Sequence, residues 1–273
     1  MTKSPVKGRH GAPEALSLVT HRTQKRYGWR PDLPDARDHI YSAPLRMFPQ
    51  GVPPAIDLRA SCPPVYDQGQ LGSCTGNAIA GAMEFDRKKQ NLPDFVPSRL
   101  FIYYNERVME GTVPYDAGAQ IRDGIKSVAN IGAPQESDWP YDINKFAEQP
   151  PAQAYADAKL DRAIEYQRVD QNLQQMLGCL AAGFPFVFGF TVYESFESDT
   201  VASTGVMPMP APNEKKLGGH AVLAVGYDLA SRVIIVRNSW GPDWGQKGYF
   251  TMPTEFITSP FMASDFWTIR SVG

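Results

Sequence analysis

The sequence predicts an α+β fold with a helical lobe and an antiparallel sheet lobe, and two patterns carry that reading. Segments of helical period come first, and apolar runs of strand character follow them. Two of those runs are joined by Asp228-Leu229-Ala230-Ser231, a turn-like tetrapeptide that makes them antiparallel neighbours.

The elements follow in chain order. Residues 1–38 show no trustworthy period, and through Arg30 they hold seven Lys or Arg against one acid, Glu14. Two readings of this extension stand: a tail, or a short pro-segment or lid over an active cleft. Tyr27 and Trp29, in the string Arg26-Tyr27-Gly28-Trp29-Arg30-Pro31, favour the second, because an aromatic pair gives a segment something to anchor with. Residues 31–38 read as a Pro-punctuated linker, and Cys62-Pro63-Pro64-Val65-Tyr66 as extended chain. The body, residues 39–273, is expected to hold a helical lobe over about 65–165. Its sheet lobe spans about 166–273 together with a crossover at 39–64.

A first helix starts near Ser73-Cys74. It is rich in Gly76, Ala78, Ala80, Gly81 and Ala82, as in a helix gripped from several sides. Further helices are predicted over Ser98–Met109, Ala119–Ile131 with Gly132 as its stop, and Asn172–Ala182 closed by Gly183. Phe184–Val192, Ala221–Tyr227, Val233–Arg237 and Gly248–Met252 read as strands, and 199–217 as a long surface loop.

With 42% hydrophobic residues the chain can bury a proper core, and its net charge of −2 argues against a dedicated nucleic-acid or anionic-membrane binder. Its beginning lacks the apolar middle of a secretory signal, and no stretch reaches the length of an apolar span. The expectation is a cytosolic protein or one exported by a signal-independent route. Three cysteines are too few for a disulfide scaffold; if Cys74 stays free, Cys62 and Cys179 either form one bridge or remain reduced.

The chemistry centres on Cys74, which ends Gln68-Gly69-Gln70-Leu71-Gly72-Ser73-Cys74. A nucleophilic thiol needs a lowered pKa, which a helix N-terminus and an imidazolium both supply. His220 is the candidate partner, since His10, His21 and His39 all lie in the extension or beside it. If Tyr227 pairs with Arg232, Ala221 faces Asn238 and His220 faces Ser239, so the hairpin brings Asn238 near the imidazole it would orient. Trp240 follows at once and would shield that bond. Gln68 is the candidate second donor, with the Cys74 N–H, to the oxyanion of a tetrahedral intermediate.

Taken together, Gln-Gly-x-x-Gly-Ser-Cys, Gly-His-Ala-Val-x-x-x-Gly-Tyr and Asn-Ser-Trp-Gly-x-x-Trp-Gly-x-x-Gly-Tyr-Phe resemble the papain-like cysteine peptidases, most closely bacterial members of the xylellain type. The resemblance covers roughly residues 55–255. It implies a two-lobed fold, a cleft between the lobes, and peptide hydrolysis through a thioester, with no metal or organic cofactor. It gives Cys74 the nucleophile's role, His220 the acid and base, Asn238 the orienter and Gln68 the oxyanion donor. It also implies a peptide or protein substrate, sensitivity to proteinaceous inhibitors of such enzymes, and a monomer. Gly118 is the one glycine left where the family often has a pair at the substrate rim. Phe188, Gly189 and Ala221 fall where an apolar specificity pocket would be walled, for a hydrophobic side chain two residues before the scissile bond; Gly219 and Trp240 join this substrate-facing set. The chain departs from the family at Leu71, where a disulfide cysteine is usual, at Thr75, where Trp is common, and in lacking a long helical pro-domain. Acyl transfer to an amine by the same residues, and a non-catalytic peptide-binding relative, are the rival readings.

Overall fold

The polar-to-apolar switch after Gly72 sets where the first long helix begins, and its composition sets how deeply it lies. In the computed structural model, which describes residues 27–273, α1 (Cys74–Lys89) is buried along nearly its whole length and ends in Arg87, Lys88 and Lys89, whose charges suit the negative end of the helix dipole. Its small residues allow the close approach. Gly76 lies against the Arg99 carbonyl and Tyr103 of α2 (Arg99–Glu110), with no room for a Cβ. Ser98 caps α2 by accepting the Phe101 N–H, and Gly111 closes it in the left-handed conformation. α3 (Ile121–Asn130) and α4 (Ala152–Ala158) complete this half.

A short β1 (Ala55–Asp57) precedes the helices. After them come β2 (Ala163–Arg168), α5 (Leu173–Ala181), β3 (Phe186–Tyr193), α6 (Asp199–Thr204), β4 (Lys216–Asp228), β5 (Val233–Arg237), β6 (Tyr249–Pro253), α7 (Thr254–Ile257) and β7 (Ala263–Val272). The strands form one antiparallel sheet in the order β2-β7-β3-β4-β5-β6, with β1 added on β4. The final strand is therefore interior, between β2 and β3.

The sheet has two unlike faces because strand side chains alternate. Phe186, Phe188 and Phe190 of β3 join Phe250, Phe256 and Phe266 in a core on one side. Val187 of β3, with Leu223 and Val225 of β4, packs against Ile79 and Met83 of α1 on the other. That second face, where helices meet sheet, carries the cleft.

Several sequence expectations change here. Tyr227 pairs with Ile234, not Arg232, and a bulge between Ala224 and Gly226 shifts the pairing again, to Leu223 opposite Arg237. Residues 199–217 are not all loop: α6 begins the stretch and β4 starts at Lys216. Cys62, Cys74 and Cys179 are all free. Cys179 is enclosed in the phenylalanine core, while Cys62 packs with the helix-side cluster, so the Cys62–Cys179 bridge is not formed.

The part of the N-terminal extension that precedes Tyr27, with His10 and His21, lies outside the described residues. From Tyr27 onward the extension follows the body. The His39 carbonyl accepts the Arg168 N–H and the Tyr41 N–H donates to the Arg168 carbonyl, both at 2.7 Å, which docks this stretch along β2. Tyr41 is itself a core residue.

Candidate active site

Cys74 is the first residue of α1, so its own N–H is among those a helix leaves without an internal partner. Main-chain groups of Ala221, Gly28 and Thr75 lie close enough to its sulfur to favour the thiolate, against the burial that disfavours it. Ala221 lies on β4, and its neighbour His220 thereby comes from the sheet side to the nucleophile's side. The His220 Nε2 lies 2.8 Å from the Asn238 Oδ1, which also accepts the Ser239 N–H at 2.8 Å. An amide oxygen facing Nε2 places the proton on that nitrogen and leaves Nδ1 as the ring's acceptor. Asn238 follows β5, and its N–H donates to the Gly248 carbonyl at 2.9 Å, which fixes where the strand end points.

Trp240 stacks on His220 with centroids 4.9 Å apart and planes at 22°. Phe190 meets the imidazole edge-on from the core. The His–Asn bond is thus walled by rings, which holds the imidazole's tilt and keeps water from competing. Gln68 is tied into the same assembly. Its N–H donates to the Ser239 carbonyl at 2.8 Å, its Oε1 accepts the Ser239 hydroxyl at 2.6 Å, and its Nε2 donates to the Leu71 carbonyl at 2.9 Å. Ser239 therefore clamps Gln68 beside the loop that delivers Cys74.

The chain's own extension crosses this assembly. The Trp29 N–H donates to the Gly219 carbonyl at 2.9 Å, the Ala119 N–H to the Gly28 carbonyl at 2.7 Å, and the Arg30 N–H to the Ala119 carbonyl at 3.0 Å. Tyr27 sits 6.2 Å from the His220 ring and 6.5 Å from Trp240. A Cβ on Gly28 would strike the main chain of Gly72, and one on Gly118 would strike Gly28 itself. Gly118 also has a positive φ of 69°, so its lack of a side chain serves both backbone conformation and close approach. Under this cover Cys74 is fully buried, and burial pushes its thiol up to about 12. Under this cover burial favours the protonated form of the sulfur.

Of the substrate-facing residues expected from sequence, Gly118, Gly189, Gly219 and Ala221 face or adjoin the segment in the cleft. Trp240 covers the imidazole instead. Phe188 is a correction: it points to the opposite face of β3 from Gly189, is wholly buried among Phe186, Phe190 and Phe266, and walls no cleft. Sequence reasoning missed Asp265, whose Oδ2 accepts the Trp29 indole N–H at 3.1 Å and the Asp32 N–H at 2.8 Å. A lone carboxylate in the apolar run Ala263–Ile269 was the available signal. Glu106 was missed as well. It is fully buried, accepts the Thr75 hydroxyl at 2.6 Å, and burial raises it to about 8, so it is neutral beneath the nucleophile's helix.

The family model described as papain family cysteine protease matches residues 52–263. An uncharacterized peptidase C1-like protein of Acanthamoeba polyphaga mimivirus is 41% identical over 93% of this chain and 90% of its own length. Pro-cathepsin H of Bos taurus is 30% identical over 72% of this chain and 59% of its own. Among solved structures, xylellain, a cysteine protease from Xylella fastidiosa, superposes with a TM-score of 0.85 at 43% identity and covers 94% of this chain and 100% of its own. A Carica candamarcensis cysteine protease, at 22% identity and a TM-score of 0.60, shares the fold, covering 81% of this chain and 100% of its own. A helix-tip cysteine, a histidine held by an asparagine under a tryptophan, and a family match that spans all three place this chain in the papain family, as a papain-like cysteine peptidase.

Proposed function

We propose that the protein is an endopeptidase that cuts peptide bonds through a thioester and is held latent by residues 27–30. One observation carries the reading: a stretch of ordinary polypeptide is hydrogen-bonded by its main chain across the cleft at Gly219 and Ala119, with Gly28 at Cys74. A site that holds main chain in this way is built to hold extended peptide.

The chemistry follows from the atoms. With the cleft open, water reaches the site, the burial penalty on the thiol falls, and Nδ1 of His220 takes its proton. The sulfur attacks a substrate carbonyl carbon, and the carbonyl electrons move to oxygen. The Cys74 N–H and the second N–H of the Gln68 amide are the donors for that oxyanion. His220 returns the proton to the leaving amine, the C–N bond breaks, and a thioester remains. The imidazole then deprotonates water, which attacks the thioester and releases the acid. Asn238 keeps Nδ1 aimed throughout.

The direction of the covering segment explains why it survives there. The leaving amine must depart on the side of His220 and Trp240, so a substrate runs toward that side from its N-terminus to its C-terminus. Here Tyr27, the earlier residue, sits at His220 and Trp240, and the chain runs away from them through Gly28 and Trp29 to Arg30. The segment is threaded backwards, and its Tyr27–Gly28 bond presents the wrong end to the acid.

The test is digestion of a peptide library by the full chain and by a chain starting at Pro31, each with and without a cysteine-directed peptidyl probe. Internal cleavage that is lost in Cys74→Ala and enhanced by the trimming is the expected result. Turnover retained in Cys74→Ala would refute the assignment. Equal rates for the two chains would refute latency.

A further inference from the structure

We propose that the cleft's main side-chain pocket is a flat slot that selects tryptophan, through Gly189 and Gly219 on its walls and the Asp265 carboxylate at its end. This rests on the peptidase reading, since it names the side chain that a substrate would place there.

The slot is defined by what fills it. Trp29 is 8% exposed and lies with its ring against both glycines. A Cβ built on Gly189 would collide with the indole, and its three nearest atoms all belong to Trp29. A Cβ on Gly219 would meet the Trp29 carbonyl and the benzo edge of the same ring. Neither glycine has a positive φ, so backbone conformation does not demand glycine at either place. Their shared consequence is width: two walls without side chains leave room for a fused ring lying flat.

The end of the slot is polar where an apolar pocket would be closed by hydrocarbon. Asp265 is buried, has the left-handed φ of 62°, and turns its Oδ2 to the indole N–H at 3.1 Å. Arg168 faces its other oxygen at 3.5 Å, and the Asp32 N–H shares Oδ2 at 2.8 Å. Asp265 therefore keeps a counter-charge whether or not the slot is occupied, and what an occupant adds is one N–H donor at the far edge of a flat apolar body. Indole has that combination. Phenylalanine lacks the donor, and leucine lacks both donor and flatness. A hydrogen bond to a charged acceptor discriminates by about tenfold or more against the same shape without the donor.

The slot can be probed without turnover in the full chain carrying Trp29→Ala, which empties it. Indole and indene, equal in shape but differing in the N–H, are titrated and thermal stabilisation is read. Indole is expected to stabilise the variant and not the parent, and indene to need about tenfold more ligand. Adding Gly189→Ala should abolish both responses, since a strand position accepts alanine and only the slot is filled. Equal effects of indole and indene, or indole acting equally on the parent, overturn the proposal. A chain starting at Pro31, which lacks the covering segment, is then given peptides with Trp, Phe or Leu two residues before the cut. A kcat/KM for Trp about tenfold above Phe supports the slot. Cleavage without that preference overturns the slot and leaves the peptidase reading standing. Indole-selective binding with no cleavage of any peptide supports the slot and sinks the peptidase reading instead.

Discussion

Adding a single methyl group far from the catalytic atoms in sequence should switch this protein on. Gly28 passes so close to Gly72 that a Cβ there would overlap the Gly72 carbonyl and its carbon. The neighbour is main chain of the loop that leads into α1, and it cannot rotate aside as a long side chain can. Overpacking of this kind costs about 1–3 kcal/mol. In Gly28→Ala that cost falls on the covered state alone, because the open segment faces solvent. At about 1.4 kcal/mol per decade, the open fraction should rise roughly 5- to 150-fold as long as the covered state dominates. The assay is the rate at which iodoacetamide alkylates Cys74 in the full chain at fixed pH, with peptide hydrolysis measured beside it. Both rates should rise by the same factor, because both require the same uncovered sulfur. Alkylation at the parental rate would refute the idea that this close approach holds the cleft shut. Faster alkylation without faster hydrolysis would mean that the segment moves but does not block substrate.

Other consequences can be checked together. Cys74→Ala should abolish hydrolysis and leave thermal unfolding near that of the parent; its residual activity is the measurement. Asn238→Ala removes the amide oxygen that faces His220 Nε2 at 2.8 Å, and kcat should fall about 10- to 100-fold with a smaller change in KM. Glu106, raised by burial to about 8 from an ordinary value near 4.5, holds a proton in the fold that the unfolded chain releases. Its contribution to stability is therefore full below about pH 4.5 and is lost as pH rises through about 8. Glu106→Gln should raise the melting temperature at pH 8 and flatten its decline from pH 5; an unchanged decline would place the titration elsewhere.

The parts of this molecule that could be read from sequence are those whose cause is local. Ser98 and Asn172 cap their helices by accepting N–H groups two or three residues on, so those helix starts were visible. Val233–Arg237 is a strand with the bounds its β-branched run predicts. The Cys, His and Asn motifs were visible because their chemistry constrains residue types. What was hidden depends on partners distant in sequence. β7 was missed because Ser264 and Asp265 break its apolar alternation, and Asp265 turns left-handed to reach Trp29 and Asp32. The β4–β5 register was missed because the bulge near Val225 is marked only by the neighbouring Gly226, which does not say which residue is the extra one. Phe188 and Gly189 are adjacent in sequence, and only the face of the sheet that each takes separates core from cleft.

The same long-range logic decides where the removable part of the extension ends. Residues 27–30 meet the cleft through main chain, the Trp29 ring and the Arg30–Glu110 pair, whereas residues 32–38 meet the body chiefly through charge. The Asp32 carboxylate accepts the Arg122 N–H at 3.0 Å and the Trp267 indole N–H at 3.0 Å. Asp38 pairs with Arg122 at 2.5 Å and Arg168 at 3.1 Å, and Asp35 faces Lys126 at 3.4 Å. Arg122 and Asp38 are both nearly buried against each other, so removing residues 31–38 loses this ion pair together with the packing around it, at a cost on the order of 3–5 kcal/mol. A chain starting at Pro31 should therefore be active and fold normally, while one starting at His39 should melt on the order of 10 °C lower. Acidity modulates the grip. Burial and the nearby Asp265 charge raise Asp32 to about 6, above its ordinary 3.8, so its docked form retains a proton that its free form gives up. That contribution to docking is full below about pH 4 and is lost as pH rises through about 6, so residues 32–38 hold more tightly in acid than near neutrality. Equal melting temperatures for the two trimmed chains would move the boundary to Asp38 and make the charged stretch part of what is discarded.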